Sequence, residues 1–346
     1  MLAAVTRSPG ELVIEDVDGP RRARPGHVIV RPEAVGICGS DFHLFSGDLA
    51  ALSGASDFYP RVQGHEVAAI VEDPGDSSEA KEGDRVAIWP LLPCGRGHCY
   101  PCRISRPNVC PAFRLVGVHL DGGLQERLEV PKELVFNVGD LDADCASFVE
   151  PASVAVHALA RGQLKAGEKT VIFGAGPIGL AVLAAARQAG AEAMSVDPVA
   201  SRRDLAKNLG AELVTWAAEP GDLITQARDW TRGEGPPLVV DTSGAPSVLE
   251  TATEIVAPAG RVVVVGMSSA TAPVRPGIFP EKEIDVLGSS TATAADFRAA
   301  IRLVTETRDK LSQLFSHHFP LARAAEAFEF AMGRPPDAVK IVVNVN

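Results

Sequence analysis

Gly174-Ala175-Gly176-Pro177-Ile178-Gly179 stands directly behind the apolar run 171–173 and directly ahead of an Ala- and Leu-rich stretch. Three glycines at that spacing admit few folds. The first permits a tight turn after a buried strand, the second lets backbone approach a pyrophosphate, and the third lets helix pack closely on strand, with the helix N-terminus facing the phosphates. Asp197 closes the next apolar run 23 positions after Gly174, near the offset of about 20 at which an acid meets the ribose hydroxyls of an adenosine. The segment therefore reads as a dinucleotide turn rather than a Gly-rich structural turn beside an unrelated acid. A carboxylate at Asp197 repels a 2′-phosphate and favours NAD over NADP, although Arg202 and Arg203 just beyond are of the type that accepts that phosphate.

The rhythm around the turn is strand, turn, helix. Strands are expected at 170–173, 193–196, 238–240 and 261–265, with helices at 177–189 and 202–209, which makes repeated βα units and a parallel sheet. Before residue 155, short apolar runs at 28–30, 67–71, 85–88 and 128–130 alternate with Gly, Pro and Asp and predict an irregular, mostly antiparallel domain. After residue 287 the pattern loosens into a helix at 294–305, the segment 317–319, a helix at 322–332 and a closing strand at 339–345. The chain is thus expected to be α/β, with one domain built from 1–155 and 290–346 and a dinucleotide-binding domain from 156–289. At roughly 150 residues per domain, 346 residues agree with two.

Six cysteines are spread unevenly, four of them within one 17-residue stretch as Cys94, Cys99, Cys102 and Cys110. Cys-x2-Cys puts two sulfurs on one turn, and two more close a tetrahedron around a structural zinc. A disulfide framework would need more cysteines in so long a chain. A nucleic-acid zinc module is disfavoured by the net charge of −11, because such modules carry basic patches. An anionic membrane surface is disfavoured on the same ground. A second, dispersed constellation comprises Cys38, His65, Glu66 and Glu150. Singly each is bland: a buried Cys, a satisfied His, a Glu at a helix N-terminus. Together they supply the thiolate, imidazole and carboxylate of an open catalytic zinc site, with Asp41 as partner to the imidazole. The N-terminal segment breaks at Pro9-Gly10 before any signal-length apolar core, and no apolar window reaches the roughly 18 residues of a membrane span. A cytoplasmic protein is expected.

Six segments taken in order, GICGSDFH (36–43), GHE (64–66), the cysteine loop (94–110), VEPASVAVHA (149–158), VIFGAGPIGL (171–180) and DTSG (241–244), resemble the zinc-dependent alcohol and polyol dehydrogenases of the medium-chain dehydrogenase/reductase superfamily. The resemblance implies a GroES-like catalytic domain and a Rossmann domain, with the active site in the cleft between them. It implies zinc ligation by Cys38 and His65, with Glu66 as the adjacent carboxylate. Glu150 stands where liver-type alcohol dehydrogenases carry cysteine, as in the sorbitol, glucose and threonine dehydrogenase branch. Ser40 and His43 match proton-relay positions, and Val265 and Gly266 end a strand whose backbone faces the nicotinamide. Two zinc ions per chain and NAD are the implied cofactors. The implied reaction moves a hydride between NAD and a secondary alcohol of a polyol, sugar acid or cyclitol. Threonine 3-dehydrogenase-like amino-alcohol oxidation and a non-catalytic cofactor-binding protein are the alternatives.

Two departures from the family pattern matter. The first cysteine pair is spaced Cys94-x4-Cys99 rather than Cys-x2-Cys, leaving Cys94 or His98 to complete the structural site, with Cys94 favoured. Residues 287–290 offer no arginine of the kind that animal sorbitol dehydrogenases place beside the substrate, so sorbitol itself gives way to other sugar-derived alcohols. Segments 88–123 and 281–290 look most like bacterial L-gulonate and L-galactonate 5-dehydrogenases. A homodimer or homotetramer is implied, with 283–287 a candidate for sheet pairing between subunits. Phe45, Trp89 and His119 are candidate pocket residues; His157, His317, His318 and Cys145 are expected to serve structure.

Overall fold

The computed structural model describes residues 1–48, 58–95, 97, 99–217 and 220–345. It divides into two units, one of Met1–Glu150 with Thr293–Asn346, the other of Pro151–Ala292. Helix Val149–Arg161 carries the chain from the first to the second.

In Pro151–Ala292, strands Lys169–Phe173, Glu192–Val196 and Leu238–Asp241 are almost wholly buried, as sheets covered on both faces must be. Six parallel strands run in the spatial order Leu213–Thr215, Glu192–Val196, Lys169–Phe173, Leu238–Asp241, Arg261–Val264, Asp285–Gly288. The order reverses beside Lys169–Phe173, the switch point at which such sheets bind ligands. Helix Pro177–Gln188 starts on a proline, whose fixed φ and missing N–H suit the first turn. It buries everything from Gly179 to Ala186; its alanines let it lie close to the sheet.

The other unit is built on strand His27–Gly36, which pairs antiparallel with Glu66–Asp73, Leu128–Pro131 and Lys340–Asn344. Strand Phe315–Pro320 adds in parallel beyond Lys340–Asn344, and Arg85–Ile88 and Val135–Asn137 extend the other side. A smaller sheet joins Leu2–Ser8 to Glu11–Asp16 and Arg61–Val62. Helix Ala294–Leu311 is opened by a capping box, Thr293 and Asp296 each serving the other's backbone N–H. Among the described residues, no helix is long and apolar enough to cross a membrane.

The three glycines of the turn stand in three different situations. Gly174 has φ +91°, and a Cβ there would lie 2.7 Å from Thr242 Oγ1. A Cβ on Gly179 would overlap the Gly174 carbonyl oxygen, whereas one on Gly176 would meet nothing within 4 Å. Gly179→Ala is therefore expected to destabilise the chain by about 1–3 kcal/mol, and Gly176→Ala by less than about 1 kcal/mol. Denaturant unfolding of the two variants checks the contrast.

Candidate functional site

Local turns bring the four clustered cysteines together. Cys99 opens the short helix Tyr100–Arg103, its carbonyl accepting from Arg103 N, and Cys110 follows the 3-10 turn Pro107–Val109. The Sγ atoms lie 4.0 Å apart for Cys94 and Cys99, 3.9 Å for Cys94 and Cys102, and 3.7 Å for Cys99 and Cys110. Four thiolates held tetrahedrally at about 2.3 Å from zinc stand about 3.8 Å from one another, so the set fits that ion. All four are free thiols. Hydrogen bonding by Cys99, then burial, pushes the Cys102 thiol up to about 12; four sulfurs this close cannot ionise without a cation among them. His98 lies outside the described residues.

The dispersed constellation also converges. Ligand atoms of Cys38, His65 and Glu66 lie within 4.8 Å of one another. Cys38 sits two residues beyond the end of strand His27–Gly36, as N-cap of helix Gly39–Phe45, and its N–H donates to Asp41 Oδ2 at 2.9 Å. His65 follows Gly64, whose φ of +92° turns the chain into strand Glu66–Asp73. Asp41, 1% exposed, places Oδ1 3.2 Å from His65 Nδ1. A proton on Nδ1 facing that carboxylate leaves the Nε2 lone pair for a metal; Ser40 Oγ stands 3.3 Å from Nε2. Burial pulls the imidazole down, but the Asp41 charge and hydrogen bond, with Cys38, outweigh it and hold His65 well above its usual value.

Glu150, in the first turn of Val149–Arg161, is not part of the trio within 4.8 Å. Its carboxyl nevertheless feels the trio. Burial pushes it up to about 7, with Glu66 and Asp41 adding to the rise and His65 and Lys340 opposing it. Lys340 is the residue that sequence reasoning misses. It is 1% exposed and forms an ion pair with Glu66, itself 1% exposed. The available signal is one lysine between Val339 and the apolar run 341–343 in a strand that reads as core. The Cys38 thiol, the His65 imidazole and the Glu66 carboxylate form a donor set suited to a divalent cation.

In Pro151–Ala292, Gly176 is the N-cap of helix Pro177–Gln188, where the first-turn N–H groups have no acceptor within the helix, and a Cβ at Gly176 would meet open space. Asp197 is buried; Oδ2 accepts from Ala175 N at 2.7 Å and Oδ1 from Val199 N at 2.8 Å. Each oxygen keeps a lone pair for a further donor. Arg203 reaches back to the carbonyls of Asp197 and Pro198, and Arg202 lies one residue earlier in helix Ala200–Asn208. The N–H groups of Val265 and Gly266 both bond to the Asp241 carbonyl, and a Cβ on Gly266 would overlap Gly244 N. These residues fit a dinucleotide: a tight turn, open helix N–H groups and an acid at the next strand end.

His43 is largely exposed, its Nδ1 3.6 Å from Asp48. Phe45 packs on Phe328 at 5.5 Å, His119 contacts Phe58 and Phe113, and Trp89 is buried. His317 stacks near Phe330, His318 Nε2 lies 2.8 Å from Asp144, His157 is buried, and burial pushes the Cys145 thiol up to about 12.

The zinc-binding dehydrogenase family matches residues 177–306, and the alcohol dehydrogenase GroES-like domain matches residues 24–140. The chain belongs to the zinc-dependent medium-chain alcohol and polyol dehydrogenases, enzymes that oxidise or reduce at a CH–OH carbon. It is 31% identical to L-galactonate-5-dehydrogenase of Escherichia coli K12 over 333 residues, covering 95% of this chain and 94% of that one. It is 36% identical to L-threonine 3-dehydrogenase of Pyrococcus horikoshii over 273 residues, covering 77% and 76%. The structure of RspB from Escherichia coli CFT073, an alcohol dehydrogenase complexed with NADH, superposes with a TM-score of 0.88 at 29% identity, covering 100% of this chain and 99% of that one.

Asp41→Asn keeps an acceptor for Cys38 N but removes the charge facing His65. In the metal-free protein this lowers the imidazole pKa, an outcome read by NMR titration. Because the folded-state value is raised, the stability that wild type gains over Asp41→Asn is fully present below about pH 6.5 and fades as pH rises through the folded-state value.

Proposed function

We propose that the chain is an NAD-dependent, zinc-requiring dehydrogenase of a secondary alcohol carried by a polyol, sugar acid or cyclitol. The observation that carries this is the convergence of Cys38, His65 and Glu66, a mixed thiol, imidazole and carboxylate set whose charges reach Glu150. Cys38, His65 and Glu150 would hold the catalytic zinc, with Glu66 as the carboxylate adjacent to it; Cys94, Cys99, Cys102 and Cys110 would hold the structural one. Gly174, Gly176, Pro177, Ile178, Gly179, Asp197, Arg202, Val265 and Gly266 would hold the dinucleotide.

Bound zinc supplies a Lewis acid that acidifies the substrate hydroxyl, and bound NAD supplies the hydride acceptor. The protein's own groups do the rest. Asp41 fixes the His65 ring by its Nδ1 side. Ser40, whose Oγ lies 3.3 Å from His65 Nε2, would pass the hydroxyl proton on through the nicotinamide ribose hydroxyl to His43, exposed on the same helix. Asp197 accepts the ribose hydroxyls of NAD and repels the 2′-phosphate of NADP. The acidic net charge and six free thiols support a cytoplasmic enzyme that binds neither nucleic acid nor membrane. The outer strand Asp285–Gly288 is mostly exposed, Val286 included, which supports a homodimer or homotetramer formed through that edge.

Initial rates with NAD and NADP over polyols, sugar acids, cyclitols and L-threonine test the substrate class; preferred turnover of L-threonine would move the enzyme to the amino-alcohol branch. Wild type is expected to carry two zinc ions per chain by elemental analysis. Cys38→Ser should leave one and abolish turnover with an unchanged far-UV spectrum, and Glu150→Ala should likewise abolish turnover on an intact fold. Full activity in either sinks the assignment. Asp197→Asn should shift the NADP-to-NAD preference by about tenfold or more toward NADP, since a like charge is lost.

A further inference from the structure

Lys340 joins the two chain segments that bear the trio. Its Nζ pairs with Glu66 Oε2, one residue after His65, and donates to the carbonyl of Ile37 at 3.0 Å, one residue before Cys38. The sheet has made room for it. Gly36 is paired in register with Glu66 on one side and with Val342 on the other. A Cβ at Gly36 would overlap Glu66 Oε2 and stand 2.7 Å from Lys340 Cε. A buried ion pair is a costly way to hold a strand, because apolar residues of similar volume do so at least as well. Its neighbours Ile341, Val342 and Val343 are that kind of residue. The charge at position 340 is therefore tied to the charge at Glu66, not to the fold.

Resting on the catalytic-zinc assignment above, we propose that Lys340 is a positioning residue that withholds Glu66 from the metal. A carboxylate beside a thiolate and an imidazole is a strong ligand for zinc. With one oxygen engaged by a buried ammonium, Glu66 lends negative charge to the centre without closing the position that the substrate hydroxyl must enter. Without the ammonium, the metal is the remaining cation for that oxygen. Removing Lys340 is thus expected to tighten zinc and to slow the enzyme, whereas a lysine serving only to pack the sheet would loosen zinc when lost.

The experiment follows zinc release to a chelator, taking the phase that is absent from Cys38→Ser as the catalytic centre. Lys340→Met should release that zinc about tenfold more slowly than wild type, the size typical of partners one step removed from a metal. It should also show a raised KM, with Lys340→Arg near wild type in both. Unchanged or faster release in Lys340→Met overturns the proposal. If Lys340→Met does not fold, the double variant Lys340→Met with Glu66→Gln buries no unpaired charge and is compared with Glu66→Gln alone. Equal release rates are expected, since Lys340 acts through Glu66; a difference of about threefold or more, larger than the scatter between independent sites, overturns the proposal. Wild type holding a single zinc overturns the catalytic-zinc assignment itself, a failure distinguishable from that of the lysine's role.

Discussion

Strand His27–Gly36 is the constraint on which the candidate catalytic centre depends. It bonds to three other strands, and its last residue, Gly36, lies opposite Glu66 on one side and Val342 on the other. Cys38 is then two residues along the same chain, His65 one residue before Glu66, and Lys340 two residues before Val342. Side chains alternate faces with a period of two, so a slip of one residue in either pairing would send Glu66 or Lys340 to the opposite face. The functional cluster is a register effect before it is a chemical one. The small residue at Gly36 is what allows both long side chains to meet over it.

The two candidate metal-binding clusters are assembled by different physics. The four cysteines are gathered by turns within a short stretch, through contacts such as Arg103 N to Cys99 O and Cys110 N to Pro107 O. Their geometry is local, closed and made of one donor type. The Cys38, His65 and Glu66 group is gathered by long-range pairing and mixes sulfur, nitrogen and oxygen. Acids dominate around it: buried Asp41 and Glu66 and half-buried Glu150 stand against one lysine and one imidazole.

What was legible in the sequence follows the same division. The glycine turn, the parallel strands and the cysteine lobe are written in adjacent residues, and expected strands such as 85–88 and 238–240 lie within Arg85–Ile88 and Leu238–Asp241. The strand expected at 283–287 runs instead as Asp285–Gly288; Glu283 adopts a left-handed conformation at the end of the preceding helix, which delays the strand. The hairpin Leu2–Ser8 with Glu11–Asp16 and the helices Pro220–Trp230 and Pro246–Ile255 do not stand out in the sequence, since their polar residues blur the period. Lys340 escaped for a deeper reason: a lysine in a strand reads as a solvent-facing residue, and its partner lies far away in sequence. Only its isolation in an otherwise apolar run marks it.

The unit that carries the catalytic cluster is interrupted by the whole of Pro151–Ala292. Synthesis proceeds from the N-terminus, and domains generally fold as units. Cys38 and Glu66 therefore leave the ribosome long before Lys340, the residue proposed to withhold Glu66 from a metal. For that interval the carboxylate is unguarded, and residues 34–36 of strand His27–Gly36 lack the neighbour they later pair with. On the proposal above, loading of the centre in its substrate-accepting form would be a late event in the life of the chain, set by the arrival of strand Lys340–Asn344, while the four cysteines all lie in the first third of the sequence.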